Sequence, residues 1–128
     1  MAMAGELILI IEDNEKSRKL VRDVLQVKGF KTMETETAEE GLKLALEKCP
    51  DLILMDIQLP GMDGITALKK LRADRKTKGI AVIAITASVM TNNRQTMLAE
   101  GFDGYQIKPI GVKEFLAEVE RVLALQEG

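Results

Sequence analysis

Apolar positions along this chain fall into two patterns. Leu7–Ile11 (LILII), Leu52–Met55 (LILM) and Ile80–Ile85 (IAVIAI) are short, unbroken runs with no polar alternate position, which predicts strands buried on both faces. Between the runs the spacing becomes helical. Leu20, Val21, Val24 and Leu25 lead up to Gly29, and Asn14 or Asp13 is placed to cap that helix. Thr37 stands three residues before Glu40, a capping-box spacing, and opens a helix whose buried stripe is Leu42, Ala45 and Leu46, closed by Pro50. Ile65, Leu68 and Leu71 mark a third helix. Val112, Phe115, Leu116, Val119, Val122 and Leu123 mark the last. Phe30–Thr35 has only two strong apolar residues, Phe30 and Met33, and is expected at a sheet edge; Gly104–Ile107 is a last short strand. Met90–Glu100 is helical by composition, with Met97 and Leu98 as its chief anchors, so loose docking is expected. Strand and helix alternate five times, and connections this short demand parallel strands joined by right-handed crossovers. The fold class is α/β, a single (βα)5 doubly wound parallel sheet.

Such a sheet brings every strand's carboxyl end to one edge, where open α/β sheets keep their chemistry. That edge collects Glu12 and Asp13 after the first strand, Asp56 after the third, Thr86 and Ala87 after the fourth, and Lys108 after the fifth. Asp56 appears where its apolar run stops, and the turn residues Leu59-Pro60-Gly61 and Asp63-Gly64 wrap a loop over it. An aspartate after a strand is more often a turn former or cap; here four strand ends converge. Three neighbouring carboxylates and a single lysine require bound protons or a divalent cation. Oxygen ligands without His or Cys favour magnesium or a similar hard ion, manganese included. Asp56, at the centre of the sheet, is the candidate nucleophile toward phosphorus, with Lys108 and the Thr86 hydroxyl placed to meet the phosphoryl oxygens.

Composition narrows the possibilities further. A chain of 128 residues, 46% hydrophobic and 30% charged with net charge −2, reads as one soluble domain. No apolar run approaches the ~20 residues that cross a bilayer, and Met1 to Glu6 carries no export signal, so a cytoplasmic location and no membrane partner are expected. The absence of histidine excludes Ser-His-Asp triads and Cys-His pairs on this chain. Cys49 has no partner cysteine and is read as a small filler near a helix end. Six basic residues lie between Lys69 and Lys78; without aromatic or groove-reading motifs they read as a solvated face, and no direct nucleic-acid contact is expected.

Taken together, the acidic pair Glu12-Asp13, the loop MDIQLPGMDG around Asp56, Thr86-Ala87, Tyr105 and Lys108-Pro109 make the chain resemble the receiver domains of bacterial two-component response regulators, the CheY-like family. The resemblance implies a flavodoxin-like sheet of order 2-1-3-4-5, a single receiver domain over residues 1–128, and a core from about Glu6 to Leu125. It implies Asp56 as phosphoacceptor, Thr86 and Tyr105 as switch residues beside the small Ala87, and Lys108 as the site lysine. Magnesium would be held by Asp13, Asp56 and the main-chain carbonyl of Gln58. Glu12 replaces an aspartate found in many members and would reach the ion through water. The implied partners are a sensor histidine kinase or histidine phosphotransfer protein, and an output protein read through the face of the fourth helix, fifth strand and fifth helix.

A stand-alone regulator of the chemotaxis or cell-division type is the first expectation, with a domain of a hybrid kinase or larger regulator as the alternative. Its catalysis would be limited to its own phosphorylation and dephosphorylation, so it is not expected to be an enzyme. A haloacid-dehalogenase-type phosphatase would need an aspartate where Gln58 stands, and a flavin binder would need a phosphate cradle the loops lack. The Lys108–Pro109 bond is expected to be cis, because the chain must reverse while Lys108 turns toward Asp56.

Overall fold

The computed structural model describes residues 5–87 and 94–127. Its elements are β1 (Leu7–Ile11), α1 (Glu15–Val27), β2 (Lys31–Thr35), α2 (Ala38–Lys48), β3 (Leu52–Asp56), α3 (Gly64–Ala73), β4 (Ala81–Thr86), α4 (Arg94–Glu100), β5 (Gly104–Ile107) and α5 (Val112–Glu127). All strands are parallel in the order β2-β1-β3-β4-β5, the flavodoxin-like order expected.

Two-residue alternation divides the apolar runs between two layers. Leu9, Ile11, Ile53, Met55, Val82 and Ala84 pack with Ala38, Ala45, Ala67, Leu68, Leu71 and Met97, the side of α2, α3 and α4. Ile8, Ile10, Leu52, Leu54, Ile83 and Ile85 pack with Val21, Leu25, Phe115, Val119 and Val122, the side of α1 and α5. Each fully buried Leu or Ile stabilises the fold by about 1.5–3 kcal/mol relative to exposure, so the central strands need no polar face. β2 lies at an edge as predicted, and Met33 is only partly buried.

Helix starts follow the capping chemistry. Asn14, Thr37 and Asp63 accept the backbone N–H groups of Ser17, Glu40 and Thr66, at 2.9, 3.2 and 2.8 Å. Thr66's N–H holds the Asp63 carboxyl below its ordinary range, despite an opposing contribution from partial burial.

Several helical positions differ from expectation. Leu20, Leu46, Leu98 and Val112 are exposed: the three leucines sit about 100° round their helices from the buried residues Val21, Ala45 and Met97, and Val112, though on the same face as Val119, is the first residue of α5. Cys49 is exposed as well: it is the C-cap of α2, at φ 45° and ψ 63°, rather than a filler. The fourth helix is described from Arg94; Met90 to Asn93 and Ser88 lie outside the described residues. Within the basic stretch, Arg72 is structural, donating to the carbonyls of Lys78, Ile80 and Gly101 and to Asp103 Oδ2. No helix among the described residues is long and apolar enough to cross a membrane.

Candidate functional site

Asp56 is the last residue of β3, carried there by the central strand and only 3% exposed. Its Oδ1 accepts the Gln58 backbone N–H at 2.9 Å, a bond that turns the chain sharply after the strand. Gly64 completes the turn: its N–H reaches the Ile57 carbonyl at 3.1 Å, and a Cβ there would lie 2.7 Å from the Asp56 carbonyl oxygen. Only a residue without a side chain lets α3 start so close beneath the loop.

Glu12 follows β1 and is 2% exposed, whereas Asp13 is exposed at the rim. One ligand oxygen from each of Glu12, Asp13 and Asp56 lies within 4.8 Å of the others. Lys108 comes from the end of β5, where its N–H donates to the Thr86 carbonyl at 2.8 Å and its bond to Pro109 is cis, as expected. Its Nζ sits between the buried carboxylates, 2.8 Å from Asp56 Oδ2 and 2.7 Å from Glu12 Oε1. Glu12 Oε2 accepts the Asn14 N–H at 3.0 Å, so both Glu12 oxygens are engaged.

One ammonium cannot neutralise two buried carboxylates. Burial first, and hydrogen bonding to Asp56 second, push the Glu12 carboxyl up to about 7, against the lowering influence of Lys108 and Asn14. For Lys108, burial pulls the ammonium down, but the bonds to Asp56 and Glu12 outweigh it and the group is raised. The site is therefore short of positive charge. An all-oxygen donor set with that deficit fits a hard divalent cation.

Thr86 is fully buried at the end of β4, and its strand is tied to the site through Ile57 N–H to the Ile85 carbonyl at 2.9 Å. Ala87 follows it, exposed. Gln58 is exposed, with its N–H committed to Asp56. Tyr105 on β5 is 5% exposed and packs in the α2–α4 layer. Burial raises its phenol, against the opposing charge of Arg94. Arg94 and Glu118, which contact Tyr105, and Arg121, which pairs with Glu118, were not singled out from sequence. Their charges look solvated in a linear reading, since nothing in helical spacing reveals that one carboxylate faces the free edge of β5.

With this geometry in hand, similarity to known proteins becomes informative. The family described as "Response regulator receiver domain" matches residues 8–120. The chain is 40% identical over 116 residues to the polar-differentiation response regulator DivK of Brucella ovis, covering 91% of this chain and 94% of that protein. Among solved structures it is similar to a CheY-like receiver domain protein of Methanospirillum hungatei, with TM-score 0.87, 29% identity and coverage of 97% and 98%. It is also similar to the receiver domain of a Pseudomonas aeruginosa sensor histidine kinase that has magnesium in its active site cleft, with TM-score 0.86, 28% identity and coverage of 94% and 99%.

Proposed function

The chain belongs to the response regulator receiver domain family, a phosphoacceptor signalling module of two-component systems, and on that premise we propose that Asp56 is its phosphoacceptor. The observation that carries this reading is the placement of Asp56: buried at the central strand end, with one oxygen on Lys108 Nζ and the other on the Gln58 N–H. The donor would be the phosphohistidine of a sensor kinase or phosphotransfer protein. One Asp56 oxygen forms the bond to phosphorus as the bond from phosphorus to the donor nitrogen breaks. Lys108 then shifts its hydrogen bond to a phosphoryl oxygen, and the Thr86 hydroxyl donates to another.

Asp13, Asp56 and the main-chain carbonyl of Gln58 would hold magnesium, with manganese as a chemically similar substitute. Glu12, whose two oxygens are already engaged, would contribute through water. Bound there, the ion supplies positive charge to the phosphoryl oxygens. The site performs its own phosphorylation and hydrolysis and turns over no separate substrate.

Readout would pass through Thr86 and Tyr105. Thr86 moving toward the phosphoryl group leaves space beside Ala87, and the buried position of the Tyr105 ring is the one that space favours. The surface of α4, β5 and α5 would then meet the output protein, in the cytoplasm.

Labelling by a small acyl phosphate in magnesium tests the assignment. Asp56→Asn is expected to reduce incorporation to background in a folded protein. Incorporation at the wild-type level in that variant contradicts it.

A further inference from the structure

Glu118 of α5 lies apart from the acidic site and is 7% exposed. Its carboxylate accepts the Tyr105 backbone N–H at 2.9 Å and two Arg121 donors, Nε and Nη2, each at 3.1 Å. Gly104 makes the room: a Cβ there would lie 2.7 Å from Glu118 Oε2. Burial alone would raise this carboxyl, but Arg121 and the Tyr105 N–H outweigh it and the group is lowered.

Arg94, at the start of the described part of α4, reaches the same place from the other side. Its Nη1 is 3.3 Å from Glu118 Oε2, its Nη2 donates to the Tyr105 carbonyl at 3.4 Å, and its guanidinium carbon is 5.8 Å from the centre of the Tyr105 ring. One side chain thus touches the ring and the main chain of Tyr105 while resting on an anion from α5. β5 is an edge strand, and both outward main-chain groups of Tyr105 are bonded: its N–H to Glu118, and its carbonyl to Gln106 Nε2 at 2.9 Å as well as to Arg94.

We propose that Arg94 is a positioning residue of the switch: braced on Glu118, it latches the Tyr105 ring in its buried position before any phosphorylation. The inference rests on the reading of Tyr105 as the residue that reports the state of Asp56. Two features suit a latch rather than a lock. The Arg94 side chain is 49% exposed, so its ion pair and ring contact are each weak and bias an equilibrium without abolishing it. Arg121 keeps Glu118 paired when Arg94 departs, so opening leaves no buried charge stranded. The unphosphorylated chain therefore already populates the state that the phosphoryl group selects. By reciprocity, the latch strengthens binding of a phosphoryl group's analogue by the factor with which that analogue strengthens the latch.

Tyr105 is the chain's only tyrosine and there is no tryptophan, so intrinsic emission and its quenching by acrylamide report this ring alone. Wild type, Arg94→Gln and Arg94→Lys are compared unphosphorylated, with circular dichroism checking the fold. The Gln variant is expected to shift the buried-to-exposed ratio toward exposure by about threefold to tenfold, the range a half-exposed ion pair and ring contact support. Arg94→Lys must shift it too, because an ammonium cannot hold the Glu118 carboxylate and Tyr105 carbonyl together while covering the ring. Wild-type quenching in either folded variant overturns the proposal. Beryllofluoride with magnesium separates the latch from the reading beneath it. It is expected to bind Arg94→Gln more weakly, by the fall in the buried fraction and so by less than the change in ratio, and to restore ring protection. Increased quenching in the variants with no response to beryllofluoride in any protein supports the latch and contradicts the coupling of Tyr105 to Asp56.

Discussion

Glu12 shows how one residue's environment can be tested directly. In the folded chain its carboxyl titrates at about 7, against an ordinary value of 4.5, chiefly because it is buried. A carboxyl raised on folding contributes stability that is fully present below about 4.5 and lost as pH rises through about 7. In chelator, wild type is therefore expected to lose stability relative to Glu12→Gln between about pH 5 and pH 8. Urea midpoints across that range check the slope, and a difference that is flat or of opposite sign contradicts the environment assigned to Glu12. Cys49 offers a simpler test of backbone physics. It ends α2 at φ 45°, a left-handed conformation that costs a residue with a Cβ about 1–2 kcal/mol. Cys49→Gly is expected to stabilise the chain by about 0.5–1 kcal/mol, after the glycine's greater freedom when unfolded is set against relief of that cost. A lowered urea midpoint would show that Cys49 holds something the geometry does not reveal.

At the scale of elements, the strands were readable because burial on both faces leaves an unmistakable apolar run. Leu7–Ile11 coincides with β1, and Ile80–Ile85 overlaps β4 with a shift of one residue. Helix faces were less so, since spacing marks a stripe but not its width. Leu20 and Val21 look equivalent in sequence, yet only Val21 is buried. α4 illustrates the limit: Met97 is its one buried residue among those described, and what ties its start to the neighbouring elements is polar, through Arg94. No hydrophobic pattern encodes that bond. The sequence marked Gly104 only as the start of a short strand, whereas its neighbours give it a packing role. A Cβ at that position would crowd Glu118, Ile83 and Val122 at 2.7, 3.0 and 3.0 Å. Gly104→Ala is expected to cost about 1–3 kcal/mol by overpacking, and an unchanged urea midpoint would mean that the Glu118 brace yields easily.

For the whole molecule, parallel topology does most of the functional work. Residues far apart in the chain, from Glu12 to Lys108, meet because five strand ends share one edge. That convergence was legible, as polar residues followed each of the central apolar runs. The state of Tyr105 was not, because its ring's burial depends on packing against α4 that spacing cannot show. Asp56, and neither of its acidic neighbours, is proposed to carry the phosphoryl group. Borohydride reduction of the acyl-phosphate-treated protein, followed by peptide mass spectrometry, reads the modified position directly. Residue 56 is expected to be reduced to homoserine, dependent on magnesium; a reduced product at position 12 or 13, or none at 56, would place the phosphoryl group elsewhere.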